Sequence, residues 1–336
     1  MRIRNLKYSH PALGLLLLLV VFTTACNIVS SPGSFDSPLY VANSSSDSIT
    51  VYAPFTNGNQ APSRIISGSS TMLASPSGVA GNAGGETFVA NSSTNSITVY
   101  SLGANGNATP SRIISGSSSM LDNPQGAVLD AAGNLYVANA GVITSSIAVY
   151  APGAGGAPGT PATNVAPIRT ISGALTLLDN PQGVIVDATG VLYVANAGAT
   201  TSSITVYDSS VMGNMAPSRT ISGASTGLAN PIGVGLDTAG NLYVANAGTA
   251  TSSITVYAPA ASGNVPPSNT ITGTSTGLAS PQGVVLDPTG RLYVANKTTL
   301  SITVYTPGAM GNAIPIRTIT GGATLLNQPL FIALRP

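Results

Sequence analysis

Apolar and small residues fall in short runs along this chain, each closed by Gly, Pro, Asn or Asp, and one of these runs recurs six times. The copies are Leu39 to Asn43, Thr87 to Asn91, Leu135 to Asn139, Leu192 to Asn196, Leu242 to Asn246 and Leu292 to Asn296. All read Leu-Tyr-Val-Ala-Asn except the second, where Thr87 and Phe88 replace the first two residues. A full unit can be followed from Pro231 to Gly273. Pro231 to Leu236 is a short apolar strand, and Asp237 to Asn241 is a tight turn in which Gly supplies positive φ and Asp bonds back to the backbone. Leu242 to Asn246 is the second strand, Ile254 to Tyr257 the third, and Asn269 to Thr272 the fourth, after a Gly/Pro loop. Outside the N-terminal segment no window carries the i, i+3, i+4 spacing of an amphipathic helix, so helix should be nearly absent.

The aromatic positions Tyr40, Phe88, Tyr136, Tyr193, Tyr243 and Tyr293 are 48, 48, 57, 50 and 50 residues apart. Four strands in a period near 50 predict an all-β fold, a six-bladed β-propeller of four-stranded antiparallel blades. The first strand of each unit would line the axis, where small residues fit, and the fourth would form the rim. Each rim strand follows a proline, and in five of the six it carries an arginine: Arg64, Arg112, Arg169, Arg219 and Arg317. Pro and charge protect an exposed edge from pairing with another chain, and the arginines are read in that role. Eleven of the twelve tyrosines lie in second or third strands at equivalent places, as aromatics packed between blades would. The first unit opens at its second strand, whereas Pro329 to Leu334 is a first strand with no unit after it. Closure of the ring by that C-terminal strand in blade one follows. The longer loop Ala151 to Ala166 accounts for the 57-residue spacing and reads as a surface insertion.

Residues 1–25 stand apart. Arg2, Arg4 and Lys7 precede the apolar run Leu13 to Phe22, which is short for a span of roughly 20 residues, and the whole predicts a signal peptide. Thr24-Ala25-Cys26 follows, with the chain's one cysteine. The segment resembles the lipobox of bacterial lipoproteins, departing from it at Thr23. The resemblance implies a lipid on Cys26, a linker over 26–38, and a chain anchored to a membrane rather than spanning it. The propeller then occupies 39–336. Of the eleven basic residues, eight lie beyond the signal, singly and against ten acidic ones, so no basic stripe exists and nucleic acid is excluded as a partner.

Pro281-Gln-Gly-Val-Val-Leu-Asp287, the Gly290 turn, Leu292 to Asn296 and Ile302 to Tyr305 together resemble the NHL repeat, and Tyr-Val-Ala-Asn is also similar to the YVTN repeat of bacterial surface proteins. The resemblance covers Leu39 to Leu334 and implies a propeller. NHL repeats favour Asp where this chain has Asn, which removes one carboxylate per blade.

Histidine is informative by its position. The only one is His10, inside the signal, so Ser-His-Asp and Cys-His catalysis and His-containing metal sites are excluded for the mature chain. NHL-like lyases that work through channel histidines therefore lend no residue here. In the gluconolactonase group the metal is held by Glu, Asp and Asn at the channel mouth. The sole glutamate here, Glu86, stands at a turn on the opposite face. Asp130, Asp187, Asp237 and Asp287 occupy that same kind of turn and read as turn-holders. No catalytic residue, metal site or cofactor is expected. The candidate binding face is the one bearing Asn43, Asn91, Asn139, Asn196, Asn246 and Asn296 amid Ser/Thr loops, with strand-end caps as their first role. The expectation is a non-catalytic scaffold at the bacterial cell envelope with a protein or glycan partner. A metal-dependent lactonase-like hydrolase and a structural surface-layer or adhesion component are the alternatives.

Overall fold

The computed structural model describes residues 37–141, 145–199, 201–248 and 252–335. The leader, Cys26 and most of the linker lie outside the described residues. The described chain forms 24 strands, β1 to β24 in chain order, arranged in six separate four-stranded antiparallel sheets. Five sheets use consecutive strands, the first running from Pro76–Gly81 to Arg112–Ile114 and the last from Pro281–Leu286 to Arg317–Ile319. In the sixth, β24 (Pro329–Leu334) pairs with β1 (Leu39–Asn43) as the axial strand of blade one, ahead of Ser48–Tyr52 and Arg64–Ser67. The sequence expectation of a six-bladed propeller closed by its C-terminal strand is met.

The strands form because β-branched and aromatic residues alternate faces along each run, and both faces are covered. In β1 and β2 (Ser48–Tyr52) every residue is buried. One face meets the blade before and the other the blade after, so the apolar core is divided into six clusters, each drawing on two neighbouring blades. Phe88, Ala90 and Ile97 of blade two meet Leu135, Val137 and Tyr150 of blade three. Across the closing seam, Ala295 and Ile302 of blade six meet Leu39, Tyr52, Ile332 and Leu334 of blade one.

The third-strand tyrosines fasten these contacts. Each hydroxyl donates to a carbonyl in the turn that enters its own blade: Tyr100 to Thr71 O at 2.5 Å, Tyr257 to Thr226 O at 2.5 Å, Tyr305 to Thr276 O at 2.6 Å. Tyr150 and Tyr207 do the same with Ser119 and Thr176. Tyr52 bonds Thr324 O at 2.6 Å, in the turn that leads into β24, so the seam repeats the other junctions. Full burial of rings this size contributes up to about 4–6 kcal/mol each by area, an upper bound.

The rim is also covered. The loop between the third and fourth strands of one blade reaches back over the rim strand of the blade before, as at Gly106 beside Ile66 and Gly58 beside Ile319. An asparagine at the loop's end accepts from the backbone there: Asn107 Oδ1 from Ser70 N, Asn214 from Leu175, Asn59 from Ala323, all at 2.7–2.8 Å. Loop Ala151 to Ala166, expected as an insertion only, supplies this clasp through Gly156 and Asn164. The arginines read as edge protection have a different task, since the loop already covers the edge. Arg64, Arg112, Arg169, Arg219 and Arg317 each lie 5.4–5.8 Å above the second-strand aromatic of their own blade.

Two predictions follow from this construction. Truncation after Gly322 removes β24 and opens the seam; the expected result is a melting temperature lowered for the whole domain by at least about 10 °C, and one-step melting at an unchanged temperature would refute the closure. Burial pushes the hydroxyls of Tyr52, Tyr100, Tyr207, Tyr257 and Tyr305 up to about 12, with threonine hydrogen bonds pulling the other way, and raises Tyr150 as well. A raised tyrosine value favours the folded state below pH 10, and that contribution is lost as pH climbs from 10 through 12, by roughly 1.4 kcal/mol per tyrosine per pH unit. Base titration followed at 295 nm should therefore show these six tyrosines ionising together with loss of the β-sheet circular dichroism signal.

Candidate functional site

The ring has two ends. At one, the second strands finish in the six asparagines and the chain turns into Ser/Thr hairpins. At the other, the first strands finish in the Asp-x-x-Gly turns.

At the asparagine end, Asn43, Asn91, Asn139, Asn196, Asn246 and Asn296 are all fully buried. Asn43 donates through Nδ2 to Thr50 Oγ1 at 3.0 Å and to Val41 O at 3.3 Å, while its Oδ1 accepts from Asn327 N at 3.0 Å. Asn91, Asn196, Asn246 and Asn296 repeat the pattern, with Oδ1 taking the backbone N–H of Ala74, Asp179, Ala229 and Ala279. The expectation that these side chains form a binding surface is thus corrected, because an amide with both ends bonded and no exposed atom meets no ligand. Each ties a strand end to the loop that opens its own blade. What is exposed on this face is the hairpin tips, such as Ser45 to Asp47, Ser93 to Asn95 and Thr298 to Leu300. Asp47 Oδ1 and Asn95 Oδ1 brace those tips by accepting from Ser75 N and Asn123 N of the following blade, both at 2.7 Å.

In five of the six, Nδ2 donates to a carbonyl two residues back, which a carboxylate could not do. This accounts for Asn where the NHL pattern has Asp. Blade three is irregular: Ala148 stands where the other blades have Thr, and Asn139 Nδ2 turns instead to Ser146 Oγ at 3.2 Å and Met120 O at 3.3 Å.

At the turn end the four aspartates hold their turns, as expected. Asp237 Oδ1 accepts from Ala239 N at 2.9 Å and Asn241 N at 2.8 Å, and Asp187 Oδ1 accepts from Thr189 and Val191. Their blades are three, four, five and six. In blade two the place is Asn82, bonded to Glu86; in blade one it is Arg335, buried and donating to Tyr40 Oη at 2.9 Å. Burial raises the Tyr243 hydroxyl, and the charge of Asp237 adds to the rise.

Between these turns lies an open concavity, which the sequence reading did not place. Two adjoining cavities of about 180 Å³ each sit on the axis at the turn end. Val186, Val285 and Leu334 wall both, Phe331 faces the first, and Asp130 and Asp187, then Asp237 and Asp287, stand at their rims. Toward the asparagine end the axial strands crowd together. A Cβ added to Gly126 would lie 2.5 Å from Gln182 O, and one on Gly233 would lie 2.1 Å from Gln282 O. The repeated Pro-x-Gly carries this constriction, and Phe331 stands in place of the sixth glycine. Among the described residues no three His, Cys, Asp or Glu side chains group as metal ligands, and no helix is long and apolar enough to cross a membrane.

No protein-family model matches the chain, and no curated protein matches it significantly. Solved structures do. A chain of the nidogen/laminin complex is similar at a TM-score of 0.61 with 17% identity, covering 89% of this chain and 98% of that one. A protein of unknown function from Bacteroides caccae is similar at a TM-score of 0.64 with 10% identity, covering 89% and 98%. The periplasmic gluconolactonase PpgL of Pseudomonas aeruginosa is similar at 0.59 with 16% identity, covering 89% and 99%. At these identities the likeness concerns the fold, which is that of a six-bladed β-propeller.

The blades test the asparagine network against one another. Asn246→Ala leaves the Ala229 N–H without its acceptor inside the protein, and an expected loss of about 2 kcal/mol is measurable by denaturant unfolding. Ala148→Thr gives Asn139 the acceptor its counterparts have and should gain about 1 kcal/mol, or roughly 2 °C in melting temperature.

Proposed function

We propose that this protein is a non-catalytic NHL-like propeller of the bacterial cell envelope, anchored outside the cytoplasm by a lipid on Cys26. It would present its asparagine-end face to a protein or glycan partner. The observation that supports this reading is the ring of buried amides. Six side chains are spent on locking the loops of one face, which leaves exposed Ser, Thr and Asn tips on a support with little freedom to move. Preorganised hydroxyls and amides bind with less ordering entropy lost than mobile ones. A chain of this fold also occurs in the nidogen/laminin complex, and another in a periplasmic enzyme.

The test has two arms. Labelling cells with an alkynyl fatty acid should tag the wild-type chain and not Cys26→Ala, and the variant should leave the membrane fraction. Crosslinking in envelopes should give a discrete adduct that Ser93→Arg and Thr298→Arg weaken by about tenfold, while Thr189→Arg on the other face does not. Adducts only between copies of this chain would favour a structural surface component instead, and equal loss from both faces would defeat the assignment of the face.

A further inference from the structure

The concavity at the turn end meets the chain's own N-terminal segment. Ser37, the first described residue, is part of the lining of the second cavity, together with Leu236, Leu286 and Leu334. Its place there is held by its neighbours. Pro38 O accepts from Arg335 N at 3.3 Å, and Leu39 pairs with Leu334, so β24 keeps this stretch beside the axis. Whatever precedes Ser37 therefore starts from the wall of the cavity itself. The axial strands crowd at the far end, which leaves the turn face as the side of entry.

What precedes Ser37 is Asn27-Ile-Val-Ser-Ser-Pro-Gly-Ser-Phe35-Asp36. Phe35 is the one aromatic residue of this linker and stands two positions before Ser37. Two residues of chain span at most about 7 Å, so the ring is confined to the neighbourhood of the cavity. The cavity suits it in size and in chemistry. It holds about 180 Å³, and an apolar pocket of about 150 Å³ takes up benzene. Ile185, Val186 and Val285 complete its aliphatic wall. Asp237 and Asp287 at the rim direct Oδ1 to the backbone of their own turns. The tether also settles which apolar group fills the space. A group joined by a short linker is presented at a millimolar effective concentration or higher, which a free apolar solute has to match before it can displace it.

We propose that Phe35 docks in the turn-end cavity, its ring against Val285, Leu286 and Leu334, and that the linker thereby plugs this end of the ring. The docking needs no lipid on Cys26 and concerns the face opposite the asparagine end. One consequence does rest on the anchored reading. Cys26 stands nine residues before Phe35, so a lipid there is held within about 30 Å of the turn end. The turn end then faces the membrane and the asparagine end faces away from it.

The chain has no tryptophan, so Phe35→Trp supplies a single reporter. In the full-length chain in non-ionic detergent, its emission should lie to the blue of that from Ser30→Trp in the same linker, and acrylamide should quench it about tenfold less. Val285→Phe fills the cavity from its wall. Combined with Phe35→Trp, and checked for an unaltered β-sheet circular dichroism signal, it should return both readings to those of Ser30→Trp. Phe35→Ala alters no residue of the propeller and should lower the melting temperature by about 2 °C, whereas Ser34→Ala should not. None of these readings involves the fatty-acid label, so failure of the anchored reading leaves them unmoved. A Phe35→Trp emission as quenchable as that of Ser30→Trp, or a melting temperature unmoved by Phe35→Ala, overturns the proposal. Shielding that fades on dilution would put the ring in a second copy and overturn docking within the chain.

Discussion

No blade of this protein owns a core. Each sheet is one layer with two apolar faces, and a sheet with two apolar faces is stable only when both are covered. The six clusters of buried residues accordingly straddle pairs of blades, and the third-strand tyrosines bond from one blade to the turn arriving from its neighbour. A linear stack would leave two such faces in water. The ring leaves none, at the cost of one junction that the chain must close without continuity. β24 makes that junction by hydrogen bonds to β1, and three side chains add to it. Arg335 bonds the Tyr40 hydroxyl, and Arg291 and Arg317 lie on the two approaches to the Phe55 ring, at 5.8 and 5.3 Å. Phe55 holds φ at 62°, a backbone state that the other blades fill with glycine or avoid, so the seam carries an aromatic contact the other junctions lack.

The departures from the repeat are compensated locally, which shows which contacts matter. Phe88 has no hydroxyl to receive its blade's arginine, and in that blade alone Glu86 stands ready; Arg112 Nη2 bonds Glu86 Oε1 at 2.6 Å. In other blades the tyrosine hydroxyl is the acceptor, as for Arg64 at 2.7 Å and Arg169 at 2.8 Å. Asn269, where arginine is missing, still reaches the next blade by donating to Ala309 O at 3.0 Å, matching Arg112 to Ala154 O. In five of the six blades the rim strand donates to the following loop, and in the sixth Arg317 lies over Phe55 of that loop instead. The sole glutamate of the chain is thus engaged in structure.

Period, strand number and ring closure were legible because they follow from apolar spacing and from the unmatched Pro329 to Leu334. The turn aspartates were legible because an Asp five residues before a strand, with a Gly between, has a local use. The asparagine ring was half legible. Capping could be read from its place, but whether the amides also met solvent depends on Thr50 and its counterparts reaching across the hairpin, a tertiary matter. The second set, Asn59, Asn107, Asn164, Asn214, Asn264 and Asn312, is written as Gly-Asn in every blade but the third, where Thr163 precedes Asn164, yet it points to nothing in its own blade. Its partners sit on the preceding rim, 37 to 46 residues back in five blades and, for Asn59, at Ala323 of the last blade. The cavity was least legible, since concavity at one end depends on how six axial strands splay.

The mouth at the turn end is asymmetric because its turns differ from blade to blade. A ring of identical units would carry six turn aspartates, and their transverse fields would cancel on the axis. Here blade one has Arg335 at the equivalent place and blade two has Asn82. The four aspartates therefore stand on one arc, blades three to six. Arg335 is buried and donates to the Tyr40 hydroxyl of its own blade, so its charge is engaged in fastening β24 to β1 and does not line the cavity. The carboxylate charge of this mouth accordingly lies to one side of the axis.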